Sequence, residues 1–359
     1  MPDRGKVTGK RLISCMLSIA GLLGILLLSG CRSTPPEPPP PAAQWFDTGT
    51  FRVEVVDASL PRDVRSTGCR FLLAGWVRSL IPQGAETSIL RTRSIHHRLP
   101  AYGCPFEFYP TLELEAGELP GHSSRLQIGV GVVREHGAGR FETRPVELFP
   151  WQTSVESSGG TIRIICQQNS GDHAGYSYEL TVTLTLRPGD SPAEYEFTLA
   201  NTGRRRIDTE LYAHPFFDIA PGFNESWFQL PGKARESIAA AGESTESTCS
   251  GTGITAGNFS PLCNSVMLQC SPAMDRAVFW KHPKKFFSLE PFRRFSVAPG
   301  GRQSWRCSLE VSRWLRPPDP ECFRAGSGRT PGHGRGRGSS AAAPAASADR
   351  TAGTPDGRR

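Results

Sequence analysis

Hydrophobic and polar residues alternate with a period of two along the central part of the chain. In Tyr178–Leu186, leucine and valine side chains alternate with threonines, which is the pattern of a half-buried β-strand. Residues 188–190 (Pro-Gly-Asp) then predict a turn. The alternation resumes through residues 195–199, so the two segments are expected to form an antiparallel hairpin. Residues 207–212 predict the strand that follows.

Other short segments have the same character, because they are apolar or alternating and are bounded by Gly, Pro or Ser. No stretch of a dozen residues shows the apolar stripe of an amphipathic helix. Many short strands predict an all-β fold, which we interpret as a large antiparallel β-sandwich. The Gly-, Ser- and Thr-rich stretch 233–260 is predicted to be a long loop on one face. The additional predicted strands are residues 71–77, 126–133, 161–166, 266–270, 277–280 and 305–311.

The start of the chain has the layout of a bacterial lipoprotein signal. Basic residues precede an apolar run that closes with Leu28-Ser29-Gly30-Cys31. We therefore predict a signal peptide over residues 1–30 and lipidation of Cys31, which would attach the protein to a membrane that it does not cross. Arg32, rather than an aspartate, follows the cysteine, and this favours the outer membrane, facing the periplasm.

Composition divides the remainder into three parts. Proline dominates residues 31–44, which predicts an extended tether. Residues 45–318 are long enough for one large domain with a substantial core. Residues 319–359 are rich in Gly, Ala and Arg, and we expect this tail to be disordered because it offers little apolar surface.

Charge and cysteine content narrow the functional classes. The net charge of +7 comes from the basic start and from the arginines of the tail, so the central domain lacks the basic surface typical of nucleic-acid binding. Of the ten cysteines, all but Cys15 and Cys31 belong to the mature domain and tail. Cysteines of an exported protein can be oxidised in the compartment outside the cytoplasm. We therefore expect one or more disulfides, with buried free thiols as the alternative. The sequence contains no Cys-x-x-Cys motif, which is the spacing typical of a zinc site.

Two short motifs place a histidine and a glutamate at the ends of predicted strands. They are Tyr212-Ala213-His214-Pro215-Phe216-Phe217 and Leu289-Glu290-Pro291. An Asn201-Thr202-Gly203 turn precedes the first motif, and a Pro299-Gly300 turn follows the second. In this order the motifs resemble the aldose 1-epimerase, or galactose mutarotase-like, superfamily. The resemblance covers roughly residues 100–312 and implies the β-sandwich of that superfamily.

The resemblance also implies a chemistry. Opening a pyranose at C1 requires a base for the anomeric hydroxyl and an acid for the ring oxygen. By resemblance, Glu290 is the base and His214 is the acid, with no metal and no cofactor. We accordingly expect a carbohydrate partner, no nucleic acid and a monomeric protein. The alternatives are that His214 is a packed, hydrogen-bonded core histidine and that Glu290 caps a turn or pairs with Arg293 or Arg294.

The family supplies an earlier histidine and arginine near the sugar. His136 and Arg140 resemble that pair, and a solvated hairpin loop is an equal interpretation of the same residues. Glu107 and Phe216 complete the predicted substrate-binding set. The sequence offers further candidates in His96 and His97 for the histidine and in Trp227 and Trp280 for stacking on a sugar.

Three functions fit these observations: a lipid-anchored aldose 1-epimerase-like isomerase, a carbohydrate-binding module without turnover, and a structural envelope lipoprotein. Glu290 facing His214 across a sugar-sized gap would favour the enzyme. Absence of the His136 and Arg140 pair from the cleft would favour the binding module. A cleft filled by residues 233–260 would favour the structural role.

Overall fold

Antiparallel strands account for nearly all regular structure in the computed structural model. It describes residues 41–94, 101–115, 123–135, 143–248, 251–283 and 286–313, all within the unit Met1–Pro318. Helix within these ranges is limited to the four residues of α1 (Val64–Thr67), whose first turn is capped by the carboxylate of Asp63. None of the described helical structure is long and apolar enough to cross a bilayer. The predicted all-β class is confirmed.

Two large sheets form the body of the fold. The first sheet has six strands: β4 (Phe106–Tyr109), β13 (Ile207–Ala213), β14 (Phe216–Asp218), β17 (Ser244–Ser247), β20 (Arg276–His282) and β21 (Phe286–Val297). The second sheet has nine strands: β9 (Gln152–Ser158), β10 (Thr161–Asn169), β11 (Tyr178–Leu186), β12 (Ala193–Asn201), β15 (Trp227–Gln229), β16 (Glu236–Ser237), β18 (Gly251–Ser260), β19 (Cys263–Met274) and β22 (Arg302–Ser312). The first sheet has the order β17-β20-β21-β13-β4, with β14 also pairing with β21. The second has the order β16-β15-β18-β19-β22-β12-β11-β10-β9.

Two smaller sheets complete the described structure. One contains β1 (Ala43–Asp47), β2 (Phe51–Val56) and β3 (Val77–Pro82), and the other contains β5 (Leu112–Glu115), β6 (Ser124–Gln127), β7 (Gly131–Glu135) and β8 (Thr143–Leu148). Each sheet is a meander in which sequential strands pair.

The core lies between the two large sheets, where their inward-facing aromatic residues meet. On β12, Tyr195 and Phe197 are fully buried, whereas Glu196 between them is partly exposed. Both rings pack at 4.6 Å, centroid to centroid, against Phe106 of β4 on the other sheet. The alternation in the sequence therefore corresponds to one face in the core and one face toward solvent.

The predicted hairpin in the centre of the chain is confirmed, because β11 and β12 pair over nine residue pairs. The strand predicted at residues 71–77 is wrong over most of its length. Gly75 there has a positive φ of 71°, and the chain turns through residues 71–76 before β3 begins at Val77. These buried apolar residues therefore pack as a turn, which a short apolar run cannot reveal.

Two further predictions need correction. Residues 126–133 form the end of β6, a turn and the start of β7, because Gly129 and Gly131 both have positive φ. The stretch 233–260 contains β16, β17 and the ten-residue β18 rather than one long loop. Its Gly and Ser residues tolerate strand geometry because β18 is paired on both sides, by β15 and β19.

The described cysteines are buried free thiols, so the expected disulfide is not found among them. They are Cys69, Cys104, Cys166, Cys263, Cys270 and Cys307. Cys270 and Cys307 are cross-strand neighbours of β19 and β22, with 2.8 Å between their sulfur atoms, which is longer than the roughly 2.05 Å of a disulfide bond. Cys249 and Cys322 lie outside the described residues.

The segment Gly103-Cys104-Pro105 supports the end of β13 through backbone hydrogen bonds. The amide of His214 donates to the carbonyl of Pro105, and that of Phe216 donates to the carbonyl of Gly103, both at 2.8 Å. Gly103 has a φ of +71°, and a Cβ at this position would lie 2.5 Å from the carbonyl oxygen of Val77. Only glycine fits, since the contact is with backbone that cannot move aside cheaply.

We expect Gly103→Ala to lower the free energy of unfolding by about 3 kcal/mol, combining left-handed strain with overpacking. Gly84→Ala is the matched control, because Gly84 also has a positive φ of 82° but nothing lies within 4 Å of the added Cβ. The free energy of unfolding of this control should fall by about 1 kcal/mol. Urea unfolding of both variants of the full chain tests this, and equal losses would contradict the close approach at Gly103.

Candidate active site

The histidine and the glutamate of the two motifs meet because β13 and β14 both pair with β21. In β13, Tyr212 pairs with Phe292, and in β14, Phe216 pairs with Ser288. The same register therefore runs through the gap between the two strands and sets His214 opposite Glu290. Pro215 cannot donate to the ladder, so the sheet is interrupted at this point and both side chains have room to converge.

The register also explains which side chains surround this pair. Directly opposite residues of neighbouring strands share one face of a sheet, and so do residues two apart along a strand. One face of the six-stranded sheet consequently forms the wall of a cavity of about 520 Å³. The rows of this face are Glu107, Tyr212, Phe292 and Arg276; His214, Glu290, Val278 and Glu246; and Phe216, Ser288, Trp280 and Ser244.

His214 and Glu290 are in direct contact. The His214 Nε2 atom lies 3.1 Å from Glu290 Oε1, and both side chains are about nine-tenths buried. Phe216 stacks on the imidazole at 4.3 Å, and Phe71 and Trp280 present their rings nearly perpendicular to it. An imidazole in such surroundings is held in one orientation, with its Nε2 edge directed at the carboxylate.

A second polar cluster, which we call the Arg70 cluster (Arg70, Glu107 and Tyr212), lies next to this pair. Arg70 Nε donates to Glu107 Oε2 at 2.5 Å, and Arg70 Nη2 donates to the Tyr212 hydroxyl at 2.6 Å. The Tyr212 hydroxyl in turn donates to the same Glu107 oxygen. One buried carboxylate oxygen thus accepts from both neighbours, which balances the charge of the guanidinium below the cavity.

Protonation of Tyr212 follows from its surroundings. Burial raises the pKa of its hydroxyl well above the ordinary value, and the charges of Glu107 and Glu290 act in the same direction, whereas Arg70 opposes them. Burial lowers the pKa of Arg70, but the charges and hydrogen bonds of Glu107 and Tyr212 outweigh it, so the net shift is upward. Tyr212 therefore remains a hydrogen-bond donor and Arg70 a cation.

Arg62 fixes the turn that carries Arg70. Its guanidinium donates to the carbonyl oxygen of Gly68 at 2.8 Å and to that of Phe71 at 2.6 Å, one on each side of Arg70. The amide of Leu72 donates to the carbonyl of Phe106 on β4. These bonds tie an irregular segment to the edge of the six-stranded sheet, so Arg70 reaches the cavity from outside the sheet.

The structure brings together part of the predicted set. His214 and Glu290 are neighbours, and Phe216 and Trp280 line the cavity with them. Glu107 lies beneath the cavity, 3% exposed, rather than at its rim. Trp227 is elsewhere, on β15, with the guanidinium of Arg235 over its ring. His136, Arg140, His96, His97 and Cys31 lie outside the described residues.

Sequence reasoning missed Arg70, Tyr212 and Arg276. Tyr212 stands two residues before His214 on a predicted strand, so the period of two was a signal for it. Arg70 and Arg276 gave no such signal, because their approach depends on a turn and on strand order. Glu290 pairs with His214 rather than with Arg293, which binds Asp275 instead.

Within the described ranges, no three His, Cys, Asp or Glu side chains lie close enough together to hold a metal ion. In the described wall, Arg70 pairs with Glu107, and Arg276 pairs with Glu210 and Glu246.

Two solved structures resemble the chain over most of its length. The Slr1438 protein from Synechocystis sp. PCC 6803 is 18% identical with a TM-score of 0.52, and the match covers 79% of this chain and 100% of that chain. A galactose mutarotase-like protein from Clostridium acetobutylicum is 13% identical with a TM-score of 0.50, and the match covers 75% of this chain and 95% of that chain. The fold is that of the galactose mutarotase-like proteins.

No family model and no curated protein sequence matches the chain. The relation to the galactose mutarotase-like proteins is therefore one of fold, and a fold alone does not determine the chemistry of its site.

The Arg70 cluster predicts a stability difference between two glutamates that each pair with an arginine. We expect Glu107→Gln to lower the free energy of unfolding by about 3 kcal/mol, because it leaves the buried Arg70 charge uncompensated. Glu156→Gln is the control, since Glu156 pairs with Arg163 at 3.0 Å with both side chains at least half exposed; it should lose no more than about 1 kcal/mol. Urea unfolding measures both, and a small effect at Glu107 would contradict the buried pair.

Proposed function

We propose that this chain binds a carbohydrate in the cavity of the six-stranded sheet and interconverts aldose anomers by acid–base catalysis. The observation that carries the proposal is the hydrogen-bonded His214–Glu290 pair, with Nε2 and Oε1 3.1 Å apart, in the wall of a cavity of about 520 Å³. That volume is in the range of small-molecule sites. The galactose mutarotase-like fold supports the same reading by analogy.

The two groups suit the chemistry at an anomeric carbon. The anomeric hydroxyl and the ring oxygen are both bonded to C1, so an acid and a base that serve them must be close neighbours. Glu290 takes the proton of the anomeric hydroxyl, the C1–O5 bond breaks as the C1 carbonyl forms, and the ring oxygen takes a proton from the His214 imidazolium. Rotation about C1–C2 and reversal of both transfers closes the ring on the other face and restores the pair.

The surrounding residues support binding of a sugar ring. Trp280 and Phe71 bring apolar faces to the cavity wall, while Ser244, Tyr109 and Glu210 offer polar atoms along it. This mixture of aromatic surface and a few directed polar groups is typical of small-molecule sites. Ser244 and Glu246 belong to the stretch 233–260, which forms part of the wall rather than filling the cavity. This disfavours the purely structural role.

A binding module without turnover is the second candidate, and the direct contact between His214 and Glu290 favours it. A substrate would have to exchange this bond for bonds to its own oxygens, whereas a sugar-sized gap would need no such exchange. A ligand that rests over the pair without breaking the bond would be bound and released unchanged.

The proposed catalysis predicts that the full chain accelerates anomer exchange of at least one aldose, followed by NMR at neutral pH with glucose, galactose and other common aldoses. His214→Ala and Glu290→Gln should each reduce the acceleration by about a hundredfold or more, because each removes one proton-transfer group. His173→Ala is the control. His173 lies in the β10–β11 loop, outside the cavity, and its ring stacks on that of Phe149. Sugar binding without acceleration would identify the protein as a binding module. If no sugar bound and no exchange were accelerated, both candidate functions would be refuted.

We further propose that the protein is an envelope lipoprotein anchored through Cys31, on the basis of the Leu28-Ser29-Gly30-Cys31 sequence alone. Expressed in a Gram-negative host, the full chain should partition into the detergent phase of a Triton X-114 extraction. Cys31→Ala should move it to the aqueous phase, while Cys15→Ala should not. Aqueous partitioning of the unmutated protein would contradict the anchor.

A further inference from the structure

The charges around the cavity are unevenly balanced. Among the described residues, two guanidinium groups, Arg70 and Arg276, face four carboxylates, which belong to Glu107, Glu210, Glu246 and Glu290. Even when His214 is counted as the imidazolium that the proposed catalysis uses, three positive groups face four carboxylates, so these groups together carry a negative charge. A low-dielectric cleft focuses such a charge and repels an anionic ligand.

Neither arginine is available to a phosphate or a carboxylate on a ligand. Arg70 is held by Glu107 and Tyr212, as described above. Arg276 Nη2 donates to Glu210 Oε2 at 2.8 Å and Arg276 Nη1 to Glu246 Oε1 at 3.3 Å. Its guanidinium carbon lies 3.4 Å from the centroid of the Phe292 ring, so the group packs on that ring as well as being paired.

The order of the strands brings Arg276 between its two partners. We call this group of residues the Arg276 clamp (Arg276, Glu210 and Glu246). Arg276 lies on β20, and β17, which carries Glu246, is the neighbour on one side. On the other side the guanidinium reaches across Phe292 of β21 to Glu210 of β13. Burial lowers the pKa of Arg276, but the bonds and charges of Glu210 and Glu246 outweigh it and the net shift is upward. Arg276 is thus a cation whose charge is already matched.

We infer that the site selects sugars without negative charge, and that Glu210 and Glu246 are the residues that determine this specificity. They occupy the more exposed of the two guanidinium groups of the described wall, which would otherwise bind a phosphate or carboxylate bidentately. Arg276 is 26% exposed at its side chain, so a ligand can reach it once its partners are removed. This inference rests on the proposed carbohydrate site and names the class of sugar that it accepts.

The test compares glucose with glucose 6-phosphate on the full chain, by calorimetry for binding and by NMR for anomer exchange. The unmutated protein should favour glucose by about tenfold or more. Glu210→Gln should shift the ratio toward glucose 6-phosphate by about tenfold, which corresponds to roughly 1.4 kcal/mol. Glu246→Gln should shift it less, because Glu246 is 51% exposed and its bond is longer, and the double variant should shift it most.

Glu196→Gln is the matched control, since Glu196 pairs with Arg306 on the exposed face of the nine-stranded sheet and should leave the ratio unchanged. Inorganic phosphate is a second probe that requires no sugar: it should bind the double variant and not the unmutated protein. Circular dichroism verifies folding, and the single variants serve if the double variant does not fold.

The outcomes separate the two proposals. Equal or better use of glucose 6-phosphate by the unmutated protein, or an unchanged ratio and no phosphate binding in the folded variants, overturns the inference and leaves the sugar site standing. Failure of every sugar to bind the unmutated protein overturns the proposed function and, with it, the specificity for sugars.

Discussion

The antiparallel register between β13 and β21 is the constraint on which the site depends. With Tyr212 opposite Phe292, continuation of the same register by two residues sets His214 opposite Glu290. Because side chains alternate between faces, a slip of one residue would point the row that contains His214 and Glu290 toward the core and would bring apolar residues to the cavity. The core side of β13 and β21, with Leu211 and Phe295 fully buried, stabilises the register that the cavity side uses.

Charge pairing is the second constraint, because a charged group that is largely buried is costly unless it is paired and hydrogen-bonded. Arg70 and Glu107 compensate each other in a buried setting, and Tyr212 completes their hydrogen bonds. Phe292 stacks on Tyr212 at 4.3 Å and carries Arg276 on its ring, which joins the Arg70 cluster to the Arg276 clamp at the rim. The Arg70 cluster and the Arg276 guanidinium are therefore held in place before any ligand arrives.

The sequence predicts more of the strands than of the site. Tyr178–Leu186 is β11 to the residue, since strict alternation specifies both the strand and its buried face. The turn at residues 71–76 and the strand at 251–260 could not be predicted in this way, because a short apolar run and a Gly-rich stretch each fit several structures until tertiary packing selects one. His214 and Glu290 were predictable from motifs, whereas Arg70 enters through a turn anchored by Arg62, which no local pattern encodes.

The central claim is that an anomeric carbon is positioned by His214 and Glu290 together. A crystal structure of the full chain with a bound aldose tests it most directly. We expect the anomeric hydroxyl to lie within hydrogen-bonding distance of Glu290 and the ring oxygen within the same distance of His214 Nε2. The bond between the two side chains should then be exchanged for bonds to the sugar. A sugar bound elsewhere, or one that leaves the 3.1 Å contact between His214 and Glu290 intact, would contradict it.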